Sequence, residues 1–190
     1  MPRSVKTSRV IAEATIATAN IPGSSGDTVT VAVTVPTRGF IHRATLLWGT
    51  SSAHPGGSGD AGGCYLHTSG AAGAGATPLS SAQAQTIFGQ ALINNQYSDV
   101  GGGQLAIGSS IYVWAPVLDF APGMPSTEAA VGSTVAGNGG GPAGLFYDAS
   151  GTTLGPSQGD GTIYFTWIGA GDMTANAIFC KVRFEIEPVA

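Results

Sequence analysis

The sequence predicts an all-β fold, an antiparallel β-sandwich with one short helix. Three observations lead there. Several runs alternate apolar and polar side chains with the period of two that a half-buried strand requires. Clusters of Gly, Pro, Ser and Asn separate them as turns would. A single stretch carries helical spacing, too little to supply the crossovers of a parallel sheet.

The elements follow in order. Residues 1–9, "MPRSVKTSR", form a polar N-terminal arm, and residues 10–190 a single domain with long Gly-rich loops. "RVIAEATIATANI" reads as a first strand closed by Pro22-Gly23. "TVTVAVTV" sets Val29, Val31, Val33 and Val35 on one face and Thr28, Thr30 and Thr34 on the other, and Pro36 stops it. "GFIHRATLLWG" is apolar on both faces except at His42 and Arg43, the pattern of a central strand. A Gly/Ser loop carrying a short strand at "CYLH" comes next.

In the stretch 81–94 Ala84, Ile87, Phe88, Ala91 and Leu92 follow helical spacing, with Ser80 or Ser81 placed to cap the first turn. Gly89 weakens that helix by about 1 kcal/mol relative to Ala. "SSIYVWAPVLDF" reads as a strand whose Pro116 assigns it to an edge or bulge. "GLFYDA" is a short strand. The closing runs 161–168 and 177–187 are expected to pair through the Gly-rich "GAGDMTANA". In the last of them Ile178, Cys180, Val182, Phe184 and Ile186 face the core, with burial of Ile178, Val182, Phe184 and Ile186 worth roughly 1.5–3 kcal/mol apiece, and Lys181, Arg183, Glu185 and Glu187 face outward. Seven or eight strands with one helix favour a sandwich or jelly roll.

Composition narrows the function. Hydrophobic residues make up 43% of the chain, enough for a sizeable core despite 30 glycines. Charged residues make up only 9%, against about 25% in ordinary soluble domains. A surface so poor in charge is covered by partners or built from neutral polar residues, which suits an assembly subunit or extracellular module better than a cytoplasmic enzyme. No Lys or Arg occurs between Ala44 and Cys180, so the middle of the chain does not form a nucleic-acid surface. Arg3, Lys6 and Arg9 on the arm are the candidates for contact with phosphate or an acidic neighbour, against the plainer reading of a solvated terminus. Neither a signal peptide nor a membrane-spanning run is expected.

No motif announces chemistry. Gly57-Ser58-Gly59-Asp60-Ala61-Gly62 matches a dinucleotide-loop pattern but opens no helix. His54, Asp60, Cys64 and His67 lie close together and Cys64-x-x-His67 has ligand spacing, yet a strand puts positions three apart on opposite faces. No metal and no cofactor are therefore expected. His42 reads as a hydrogen-bonded core or interface histidine. Two cysteines fall short of a disulfide framework, although a Cys64–Cys180 bridge stays open at this point. Among the aromatics, Tyr97 and Tyr147 lie near loops and are the candidates for ligand contacts.

From "RVIAEATIATANI" to "AIFCKVRFEIE" the chain resembles, in size and strand pattern, phage and viral virion proteins built on a single jelly roll or related β-sandwich. That resemblance implies a capsid, vertex, spike or tail component located in the virion, whose partners are copies of itself and other virion proteins and which acts by assembly instead of catalysis. The alternatives are a glycan- or receptor-binding module that uses loop aromatics and aspartates, and a polysaccharide-acting hydrolase.

Overall fold

A computed structural model describes residues 8–51, 62–70, 73–75, 80–93, 104–106, 112–114, 118, 121–122, 144–151, 160–169 and 177–189. They form two antiparallel sheets packed face to face, as the sequence predicts. The first sheet contains β1 (Val10–Ile16), β12 (Ala177–Pro188), β3 (Arg38–Thr50), β8 (Tyr112–Trp114) and β7 (Gln104–Ala106) in that spatial order, with β10 (Leu145–Asp148) also paired to β3. The second runs β5 (Gly73–Gly75), β2 (Thr28–Pro36), β11 (Asp160–Ile168), β4 (Gly63–His67), β6 (Ile87–Leu92) and β9 (Ala121–Pro122).

The alternating runs bury their apolar sides between the sheets. Val29, Val33 and Val35 of β2 and Ile163, Phe165 and Trp167 of β11 face inward from one sheet. Cys180, Val182, Phe184 and Ile186 of β12 and Ala44, Leu46 and Trp48 of β3 face them from the other. Aromatic pairs join the layers: Trp48 meets Trp167 edge-on at 5.8 Å, Phe184 meets Phe165 at 6.5 Å, and Tyr147 meets Phe88 at 6.2 Å between ring centroids. β3 is central, as its two apolar faces imply. It pairs with β12 along one edge, and its other edge is shared by β10 at Arg38–Ile41 and β8 at Trp48–Thr50. Between those two, the Leu118 N–H donates to the Ala44 carbonyl at 2.9 Å.

Three expectations are corrected. First, the helix over 81–94 is a single turn, α1 (Ser81–Ala84), followed by β6. Its predicted cap does form: Ser80 Oγ accepts from the Gln83 N–H at 3.2 Å, and Gln83 Oε1 accepts from the Ser80 N–H at 2.8 Å. Beyond Thr86 the ladder offered by β4 wins, because Ile87 and Phe88 suit a strand and Gly89 weakens a helix.

Second, the two closing runs do not pair. β11 lies between β2 and β4, while β12 lies between β1 and β3. The chain leaves β11 at Gly169, whose N–H donates to the Asp27 carbonyl at 2.9 Å and whose carbonyl accepts from the Gly26 N–H at 2.9 Å. The strands therefore meet face to face through Phe165 and Phe184 instead of edge to edge.

Third, Ile178 is not on the buried side of β12. The register slips between Ala177 and Phe179, so Ile178 is the extra residue of a bulge and is 46% exposed. A second slip, between Glu185 and Ile186, makes His42 the extra residue on β3, which explains why Ile41 and Ala44 both face inward.

Candidate functional site

The two outward faces of the sandwich differ in chemistry. On the β2/β11/β4 side a cluster of outward residues is neutral and buried. Thr30, Thr166 and His67 are 8%, 1% and 0% exposed. His67 Nδ1 lies 2.7 Å from the Ser69 carbonyl, which can only accept, so Nδ1 carries the proton. Nε2 is then the acceptor for the Thr166 hydroxyl at 2.8 Å, and Thr166 Oγ1 accepts from the Thr30 hydroxyl at 2.8 Å. Tyr164 stacks on the imidazole at 5.5 Å. Burial pulls the His67 pKa below its ordinary value, with the Ser69 carbonyl opposing, and the ring is held neutral.

A histidine accepting from a threonine hydroxyl is the nearest approach to a nucleophile and base among the described residues. Both groups are sealed from solvent, and all three hydrogen bonds are consumed in linking β2, β11 and β4 to the Ser69 turn. The arrangement is a polar tie across three strands.

The outward face of the other sheet is charged. Every described Lys and Arg lies there. Lys181, Arg183, Glu185 and Glu187 line β12, because the strand's period sends each of them outward between buried apolar residues. Glu13 of β1 meets Lys181 Nζ at 3.0 Å and Arg183 Nε at 3.6 Å. Arg9, just before β1, reaches Glu185 at 3.9 Å. His42, raised by its bulge on β3, contacts Glu187 with Nε2 at 2.8 Å from Oε2, and Arg43 stands opposite Glu185. At the β10 end Arg38 Nε donates to Asp148 at 2.8 Å. The Ser150 hydroxyl and N–H, with Arg38 adding to them, hold the Asp148 carboxyl below the usual range.

Large apolar side chains share this face. Ile11 is 49% exposed and Phe146, which touches Phe40 at 5.3 Å, is 48% exposed. Phe179 lies over Gly49, its cross-strand neighbour, and covers backbone that a β-carbon would otherwise occupy. Apolar groups set among paired charges make a surface suited to protein contact.

The predicted site residues are distributed as follows. Arg9 joins the charged face, while Arg3 and Lys6 lie outside the described residues, as do His54, Asp60 and Tyr97. Cys64 and His67 point to opposite sides of β4: the thiol faces the core and donates to the Ala91 carbonyl at 3.5 Å, and the imidazole belongs to the threonine tie. Among the described residues no group of three or more His, Cys, Asp or Glu could hold a metal. Cys64 and Cys180 are both free and buried, so they form no bridge. Burial pushes the Cys64 thiol well above its ordinary pKa and that of Cys180 up to about 12.

Tyr147 is corrected from a loop contact to a core residue. It is 1% exposed, donates its hydroxyl to the Pro36 carbonyl at 3.0 Å, and has its pKa raised by burial. Its position on β10 beside the central strand turns it inward; the Gly-rich neighbourhood in the sequence concealed that pairing. Among the described residues no helix is long and apolar enough to cross a membrane. No protein-family model, curated protein or solved structure matches the chain.

Proposed function

We propose that this chain is a structural subunit of a virus or phage particle, a capsid, vertex, spike or tail component, and that it works by self-assembly and by contacts with other virion proteins. The observation that carries this reading is the partition of the surface. A chain with 9% charged residues places all of its described Lys and Arg on one sheet face, among exposed Ile11, Phe146 and Phe179. Exposed apolar side chains beside paired charges are what a subunit contact uses, and a solitary domain has no need to gather both on one side.

The virion assignment rests on the pattern-level resemblance to single jelly-roll and sandwich virion proteins, and assembly in place of catalysis follows from it. Of the groups a sugar-binding or hydrolytic role would use, Tyr147 is buried in the core and the His67–Thr166 pair is sealed from solvent. The test is the absolute mass of the purified protein by light scattering over a range of concentrations, with negative-stain images of each species. Rings, closed oligomers or shells support the reading. A monomer at every concentration overturns it.

A further inference from the structure

The outward stripe of β12 carries a sign pattern with a geometric consequence. Read along the strand, Lys181, Arg183, Glu185 and Glu187 run plus, plus, minus, minus, changing sign midway between Arg183 and Glu185. A two-fold axis through that midpoint, lying parallel to the sheet and across the strands, places a second copy face to face with its β12 reversed. Lys181 then meets Glu187 of the second copy, Arg183 meets its Glu185, and the converse pairs close the set. All four stripe contacts join opposite charges, as an isologous interface requires.

The flanking strands agree with the same axis. On β3, Leu47 is opposite Lys181 and Phe40 is opposite Glu187, so the rotation brings Leu47 onto Phe40 of the second copy. Thr45 is opposite Arg183 and Arg43 opposite Glu185, so Arg43 falls on a threonine. On β1 the rotation sets Glu13 against Ile11, because those residues are opposite Arg183 and Glu185. No like charges meet on these three strands. An axis along the strands would instead leave them unreversed and set each charge of β12 against its own kind.

We infer that the β1–β12–β3 face docks a second copy of this chain about that axis, with Arg183 and Glu185 of each copy at its centre. The inference rests on the assembly reading above and names its first contact. Charge pairing rather than area selects the contact: twelve residues of β12 span about 40 Å and three strands about 14 Å, a face of at most roughly 560 Å², below the 800 Å² per partner of a standard interface and in the range of a small one. The intramolecular pairs do not exhaust the donors: Arg183 is 43% exposed and has five N–H groups, and Lys181 has three. Nucleic acid is a poor fit, because Glu13, Asp148, Glu185 and Glu187 nearly balance the five described Lys and Arg there.

Charge reversal at the centre tests this through mass in solution. The wild-type chain should be dimeric or a higher even assembly, more weakly so at high salt. R183E makes the centre negative on both copies and E185R makes it positive, so each should halve the associating unit. Both side chains are half-buried on the outer face and neither enters the core, and circular dichroism checks that each variant is folded. An equimolar mixture of the two should regain the lost mass, because opposite centres then meet. The double variant R183E/E185R alternates plus, minus, plus, minus, which the same axis still matches, and should dimerise alone. Wild-type oligomers whose mass neither substitution changes would overturn the inference and leave the assembly reading standing. So would loss of association that neither the mixture nor the double variant restores. A monomeric wild type would overturn both.

Discussion

His67 is buried, neutral and committed at both ring nitrogens, so acid should attack the fold through it. The perturbation is a fall in pH compared between wild type and His67→Gln. In the unfolded chain the imidazole takes up a proton near its ordinary pKa of 6.5, whereas in the folded chain burial holds the pKa lower. Between those two values the unfolded state binds more protons. Stability must therefore fall as pH drops below 6.5, and this residue contributes no slope above it.

A single proton sets the upper limit at about 1.4 kcal/mol per pH unit. Protonation also removes the lone pair that accepts from Thr166 at 2.8 Å, and Ser69 already occupies the other nitrogen, so the folded state has no ready way to bind the proton. The assay is urea unfolding of both proteins at intervals from about pH 7.5 to 5, which reads the linked slope as loss of ΔG. Wild type should start out the more stable and lose that advantage by about 1 kcal/mol per unit below pH 6.5. The His42–Glu187 pair is common to both proteins and cancels in the difference. Parallel stability curves, or a gap that widens on acidification, would refute the neutral, sealed imidazole.

The remaining predictions concern the core. Val182→Asp puts a carboxylate at a fully buried site on β12 and should abolish folding, at a cost of several kcal/mol; soluble protein with native circular dichroism would refute the central placement of that strand. Tyr147→Phe removes the hydroxyl that reaches the Pro36 carbonyl and should cost about 1–2 kcal/mol in urea unfolding, whereas an exposed loop tyrosine would cost nothing measurable. Cys64 and Cys180 should resist thiol reagents at about pH 8 in the native protein and both react in denaturant. Native labelling of either at the rate of a free exposed thiol would contradict their burial.

How far the fold could be read from the sequence depended on what each signal measures. Alternation located β2 and the body of β12 because a sandwich buries one side of each strand, and Val29, Val33, Val182 and Phe184 all face inward. It failed at Ile178 and gave no warning at His42, because a bulge inserts one residue and reverses the parity beyond it. The 81–94 stretch was misread because a short apolar run satisfies both periods, and the deciding factor, the free edge of β4, is remote in sequence. Pairing of the two closing strands failed for the same reason: nearness along the chain suggested a hairpin, while β11 pairs with β2 and β4 and β12 with β1 and β3, partners remote in sequence. Of the candidate contacts, Arg9 pairs with Glu185 of β12, a neighbour remote in sequence, and Tyr147 was misjudged because its short run lies between Gly144 and Gly151 while its neighbours in space are Pro36 and Phe88.

The same topology accounts for the charged face, which the sequence showed only as two distant clusters. Basic residues occur before Ala44 and after Cys180, more than a hundred positions apart. Antiparallel pairing of β12 with both β1 and β3 brings those ends into one sheet, where Lys181 and Arg183 meet Glu13 and Arg43 stands opposite Glu185. Such exposed pairs contribute little to stability one by one, commonly under about 1 kcal/mol. Their arrangement accordingly bears more on which surfaces can meet than on whether the sandwich holds, since its core comes from the inward sides of the same strands. Between those ends the sequence has no Lys or Arg, and β4, β6 and β11 from that stretch join β2 in the opposite sheet, whose buried polar side chains among the described residues are threonines and a neutral histidine.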